Sequence, residues 1–344
     1  MNRKKFLSSV MGLGAIAATP KAIAGTVNLP DNNTDSPIVP RYLKQGDTIG
    51  ITSPAGYITL EEIQPAVQQI TSWGFKVKIG QSIGKKYFNM GGTDEERAAD
   101  LQSMLDDTSL KAIMCARGGY GIVRIIDRLS FAKFIQHPKW IIGFSDATIL
   151  HTHLNRNFGI ASIHSKMCNS FPKEWNTAEP MQQETIISIQ QALSGTKINY
   201  PLISSDCNKP GTATGILVGG NLKLIESMSG TASDLYTKGK ILFVEDTGEY
   251  LYSIDRMFYN LKRTGKLDGL KGLIIGGFKI KQDDPGEEFG LTLYDIVLDK
   301  VKEFNFPVCF DFPVGHQKNN YAIKCGVRHR LNVTKTSCTL EEIL

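Results

Sequence analysis

Cysteine is scarce in this chain: there are six in 344 residues, and none sit in a C-x-x-C pair. That excludes a disulfide scaffold and argues against a zinc ribbon. Long apolar runs are missing too. The N-terminal one, Phe6–Ala18, has 13 residues, too few for the ~20 that a membrane-spanning helix needs. There is no internal repeat, no low-complexity tract and no G-x-G-x-x-G spacing, so a solenoid and a dinucleotide fingerprint are not indicated. Basic residues are not clustered in a patch, which removes the footprint expected of a nucleic-acid binder. What is present is ordinary. The chain is 41% hydrophobic and 21% charged, which excludes disorder and collagen-like structure and leaves a globular protein of about two domains.

The net charge of +5 reads first as a hint of an anionic partner, but Arg3, Lys4, Lys5 and Lys21 supply four of those charges. They flank the apolar run, which leads through Pro20 to Ala22-Ile23-Ala24. A basic start, a short apolar centre and an A-x-A end make a secretory signal peptide over residues 1–24. A twin-arginine signal would need a second arginine, so a Sec-type route to the periplasm is expected. No cysteine lies near the cleavage site, so neither a lipid anchor nor any stable membrane anchor is expected. Residues 25–40, rich in Pro, Asp and Asn, read as a flexible lead-in.

From residue 46 onward, strands and helices alternate. Asp47–Thr52, Phe75–Ile79, Leu110–Cys115 and Trp140–Phe144 are strand candidates, and helices are expected near 61–73, from the capping box Thr93-x-x-Glu96, after the glycine turn that follows Leu110–Cys115, and over 147–155. The alternation predicts an α/β fold with a mostly parallel, doubly wound sheet over residues 41–170. Residues 171–210 are polar and contain four prolines; they read as an interdomain connection with one surface helix near 184–193. A second, smaller α/β or β-rich domain is expected over 211–335. In doubly wound sheets, ligands collect beyond the carboxyl ends of the strands.

Two turns at such ends draw the eye. The run Trp140–Phe144 leads into Gly143-Phe144-Ser145-Asp146-Ala147, a G-x-S-x-A pattern close to a nucleophile elbow. A serine held at a tight strand-to-helix turn is exposed above the sheet, beside the unpaired amides of a helix N-terminus. On this motif alone, the reading that Ser145 or Asp146 merely caps the helix stays open. Leu110–Cys115 leads into Ala116-Arg117-Gly118-Gly119-Tyr120-Gly121, where paired glycines let backbone approach a ligand and offer an oxyanion amide. A plain glycine turn is the competing reading there. Cys115, ending an apolar run, reads as a buried structural thiol.

A nucleophilic serine needs a base, and the base needs an orienting acceptor. Among the six histidines, His151 and His153 face different sides of a helix, His164 follows an apolar run, and His329 between two arginines reads as solvated. His316, in the turn Phe312-Pro313-Val314-Gly315-His316, stands out as the base. Glu245 ends the strand candidate Lys240–Glu245, where an acid is costly to bury without a partner. For each of these the reading as a surface-loop residue stays open.

Taken in order, these motifs together with Gly46-Asp47, Ser53-Pro54, Gly219-Gly220-Asn221-Leu222, Glu245-Asp246 and Ile254-Asp255-Arg256-Met257 resemble the LD-carboxypeptidases. That family of serine peptidases includes the microcin-C-resistance peptidases. The resemblance covers residues 41–330. It implies a Rossmann-like N-terminal domain carrying the nucleophile and a smaller C-terminal domain carrying the acid and histidine. It further implies a homodimer that uses no metal and no cofactor, and a murein tetrapeptide or muropeptide substrate losing its terminal D-Ala. The family's nucleophile falls on Ser145, its histidine on His316 and its carboxylate on Glu245. The amides of Asp146 and of Gly118 or Gly119 are then the oxyanion hole, and Arg117 and Tyr120 are candidate substrate contacts. An exported esterase or amidase and a non-catalytic wall-peptide-binding protein are the rival readings.

Overall fold

The computed structural model describes residues 37–201 and 205–343. The expected signal segment 1–24 and the expected lead-in as far as residue 36 lie outside the described residues.

The first half alternates as its apolar periodicity demands. Strands β1 (Thr48–Thr52), β2 (Lys76–Ile79), β3 (Leu110–Cys115), β4 (Trp140–Gly143) and β5 (Ser162–His164) are separated by helices α1 (Gln64–Ser72), α2 (Asp94–Asp106), α3 (Ala132–Gln136) and α4 (Thr148–Phe158). Helix α1 begins three residues later than residue 61, because Pro65 is tolerated only in a first turn. Helix α2 has the expected capping box, in which Thr93 and Glu96 satisfy each other's backbone amides. After the glycine turn the chain makes two short 3-10 turns, Ile122–Arg124 and Ile126–Arg128, where a helix is expected from sequence. Helix α5 (Pro180–Ser194) buries Ile186, Ile189, Ala192 and Leu193 against the first sheet. It is longer than the stretch 184–193, and one face of it is core.

The second half runs β6 (Gly211–Asn221), α6 (Leu222–Ser227), β7 (Ile241–Thr247), α7 (Leu251–Arg263), β8 (Gly272–Lys279), α8 (Leu293–Val301), β9 (Val308–Cys309), β10 (Ile323–Cys325), β11 (Val327–Val333) and β12 (Cys338–Glu342). Two six-stranded sheets result, in the orders β10-β5-β4-β3-β1-β2 and β12-β11-β6-β7-β8-β9. In the first, β2, β1, β3, β4 and β5 are parallel, and the late strand β10 closes the edge of β5 antiparallel to it. In the second, β6 to β9 are parallel, while β11 and β12 are antiparallel additions. Each sheet has apolar clusters on its faces, as an α/β layer arrangement requires.

Helix α4 joins the halves. Asn221 N donates to Thr148 Oγ1 at 3.0 Å, and Lys240 Nζ donates to Asn155 Oδ1 at 2.7 Å. Gly220 has to be glycine at this contact: its φ is +142°, and a Cβ would lie 2.5 Å from Thr148 Oγ1. Among the described residues, no helix is long and apolar enough to cross a membrane.

Candidate active site

Strands β1, β3 and β4 are neighbours in the first sheet, so the turns at their carboxyl ends converge. The turn after β4 is the sharpest. Phe144 is extended and Ser145 then takes φ +59°, after which a 3-10 turn opens α4. A β-carbon residue in the left-handed region costs about 1–3 kcal/mol and persists only where its surroundings enforce it. Here they do. Gly143 is packed so closely that a Cβ would lie 2.9 Å from Ala147 Cβ, and its carbonyl accepts from Ser165 N and His151 Nε2. Because a carbonyl only accepts, Nε2 of His151 carries the proton and Nδ1 accepts from Ser162 Oγ at 2.8 Å. Burial lowers the His151 pKa to about 3, keeping it neutral in this bracing role.

The glycine turn after β3 lies against the serine. A Cβ on Gly118 would sit 3.0 Å from Ser145 Cβ and 3.1 Å from its Oγ. Gly118 O accepts from Gly56 N at 2.9 Å, tying the turn after β1 to it. Among the described residues, the amides of Gly118 and Gly119 donate to no protein acceptor. The side chain of Asp146 points away from solvent and accepts from Ile122 N at 2.8 Å, which locks the elbow to the far end of the glycine turn. Burial raises the Asp146 pKa to about 6. Arg117 and Tyr120 are exposed on the same turn, Arg117 reaching Tyr57 O at 3.4 Å. Cys115 is buried, which pushes its thiol up to about 12.

Glu245 arrives from the second sheet. It is fully buried on β7 and binds the His316 ring, Oε2 to Nδ1, at 2.5 Å. The β7–β8 ladder slips beside it, so that Gly276 and Gly277 together face this one residue. That bulge lets the 312–316 loop cross close by: Gly277 N donates to Val314 O at 2.8 Å. Gly315 is the tightest point, with φ +99° and room for no Cβ, which would lie 2.3 Å from Glu245 Cβ. Asn320 Oδ1 accepts from Gly315 N at 2.7 Å and holds the loop. Burial works to raise the proton affinity of Glu245, but the facing His316 and His164 imidazoles outweigh it and lower its pKa. The His316 ring is partly exposed and packs 5.0 Å from the Phe144 ring, beside Ser145 in the chain.

Sequence reasoning missed several residues here. Arg97 is fully buried and donates to Pro54 O and Gly121 O, knitting the turns after β1 and β3. Its signal was an arginine in the apolar register of α2. His164, the last residue of β5, faces Glu245 with Nε2 at 3.7 Å from Oε1. Lys166 lies over the Phe144 ring at 5.5 Å and donates to Gln317 O at 2.7 Å. With Lys318, Glu179 and Gln182 it lines a polar cleft of about 440 Å³. His329 corrects an expectation. The flanking arginines suggested solvent, but β11 alternates, and the side chain points inward, with Nδ1 on Val327 O. Among the described residues, no three His, Cys, Asp or Glu side chains converge as a metal site would require.

Comparison with known proteins matches this architecture. Sequence profiles for the LD-carboxypeptidase N-terminal and C-terminal domains fit residues 49–165 and 214–331. A probable murein peptide carboxypeptidase from Bacillus subtilis is 32% identical over 308 residues, covering 88% of this chain and 94% of that protein. A murein tetrapeptide carboxypeptidase from Pseudomonas aeruginosa is 27% identical, covering 81% of this chain and 91% of its own. The crystal structure of the muramoyltetrapeptide carboxypeptidase from Oxalobacter formigenes superposes with a TM-score of 0.75 at 26% identity, covering 86% of this chain and 98% of that one. With both halves matched and a relative at that identity over most of its length, the chain is a carboxypeptidase-type hydrolase and belongs to the LD-carboxypeptidase family.

Proposed function

We propose that this protein is an exported serine LD-carboxypeptidase that releases the terminal D-Ala of murein tetrapeptides. The observation that carries the reading is the 5.0 Å packing of the His316 ring on Phe144. It sets a carboxylate-bound imidazole from one sheet beside the strained serine turn of the other. In this mechanism His316 Nε2 takes the Ser145 proton as Oγ attacks the scissile carbonyl, then passes it to the leaving D-Ala nitrogen. Glu245 holds Nδ1–H and stabilises the imidazolium. The amides of Asp146 and of Gly118 or Gly119 receive the oxyanion, and water hydrolyses the acyl-enzyme by the same proton route. Murein stem peptides are anionic, and Arg117 and Tyr120 on the glycine turn, with Lys166 and Lys318 in the adjoining cleft, are suited to hold carboxylates. The names of the Bacillus and Pseudomonas relatives support this substrate class.

The test is incubation of the purified protein with murein tetrapeptide, followed by mass spectrometry. Wild type is expected to release one D-Ala and Ser145→Ala none. Equal release by both would overturn the serine mechanism, release sensitive to chelators would indicate a metal, and binding without cleavage would favour a wall-peptide-binding role. Export and the homodimer belong to the same proposal. N-terminal sequencing of periplasmic protein is expected to begin near Gly25, and light scattering is expected to return twice the chain mass.

A further inference from the structure

Glu245 has two carboxylate oxygens and the triad uses one of them. Oε2 binds His316, while Oε1 is buried with no hydrogen-bond partner among the described residues. The imidazole of His164 is equally buried, its Nδ1 and Nε2 both without a partner. The two unpaired groups face one another across the junction of the sheets, Nε2 to Oε1 at 3.7 Å. A buried carboxylate oxygen without a donor is costly, and so is a buried imidazole with none of its hydrogen bonds made. An approach of about 1 Å would satisfy Oε1 and Nε2 together.

We infer that His164 is a positioning residue of the catalytic site: its Nε2–H is the second donor to Glu245, gripping Oε1 while His316 takes Oε2. The inference rests on the serine-triad reading above. His164 touches neither nucleophile nor substrate; it acts through Glu245. Its ring is walled by Phe144 at 5.8 Å and Phe243 at 5.1 Å, so its orientation is set by packing. It ends β5, whose pairing with β10 fixes its height against the second sheet. The other titratable groups close to the pair are His151, with its ring 6.2 Å from His164, Lys166, whose charge reaches Glu245, and the neighbouring carboxyl of Asp246. With two donors the carboxylate plane is fixed and stays ionised to lower pH. With one, its free oxygen favours protonation, and a protonated Glu245 no longer accepts from His316.

The test uses the full chain with His164→Phe, which keeps a flat ring but no donor, and His164→Gln, whose amide replaces the Nε2 donor. On the tetrapeptide, His164→Phe is expected to lower kcat about tenfold with KM within about twofold. Its acid limb in the pH–rate profile should move to higher pH, and His164→Gln should restore part of both. A wild-type protein that releases no D-Ala would defeat the underlying reading instead, so a measurement independent of turnover is included. In histidine-labelled protein, the downfield Nδ1 proton of His316 should disappear on acidification at a higher pH in His164→Phe than in wild type. The inference is overturned if that proton and the acid limb are unmoved in His164→Phe, or if His164→Gln is as impaired as His164→Phe.

Discussion

Ser145 carries a left-handed backbone, which costs about 1–3 kcal/mol, and its hydroxyl faces a Cβ-free Gly118. Replacement by glycine relieves the backbone term, so Ser145→Gly is expected to be inactive and about 1 kcal/mol more stable than Ser145→Ala. Urea denaturation of the two variants measures this difference. Buried histidines make a second residue-scale prediction. Burial lowers the His329 pKa to about 4, below its unfolded value of ~6.5. The neutral ring is therefore favoured in the folded state. Its contribution is fully present above pH 6.5 and is lost as pH falls through 4. His329→Phe should lose less stability than wild type between pH 7 and pH 4, by up to about 3 kcal/mol. Parallel melts of the two proteins across that range would show whether their difference is independent of pH.

At the scale of elements, the bulge on β8 and the 312–316 loop decide whether His316 meets Glu245. Gly315 has no space for a methyl group against Glu245 Cβ. Gly315→Ala should push the loop off β7 and reduce kcat by more than about a hundredfold, with a stability loss of about 2–4 kcal/mol. Activity assays and a thermal melt on the same preparation separate the two effects, and near-normal turnover would contradict the account. By contrast, Thr93→Ala in the capping box of α2 should cost about 1 kcal/mol and little activity. The capping box was legible in sequence because it depends on residues three apart. The bulge was not, since it arises from how β7 and β8 register.

For the whole molecule, the two sheets meet at the Glu245–His316 junction and depend on one another structurally. Strand β10 comes from late in the chain and covers the edge of β5, and α4 buries Thr148 and Asn155 against the second half. A fragment ending at residue 210 leaves that edge and that face open, so it should aggregate or remain partly unfolded. Soluble yield and amide-proton dispersion of residues 37–210 would check this, and a monodisperse folded fragment would refute it. The intact protein should unfold in a single calorimetric transition.

Sequence by itself determined the alternation of strands and helices, the serine and glycine turns, and the order in which Ser145, Glu245 and His316 occur. These are set by side-chain periodicity, caps and glycine placement, all of which act over a few residues. It also singled out Ser145, Glu245 and His316 one by one, but could not join them, since 71 residues separate Glu245 from its histidine. Tertiary structure decided that Glu245 and His316 bond, that the 312–316 loop sets the His316 ring against Phe144, that His164 is buried facing Glu245, and that Arg97 is buried against the turns after β1 and β3. Those facts depend on long-range register and desolvation. A buried polar group is recognised by what surrounds it, and its surroundings are assembled only when the two sheets close on each other.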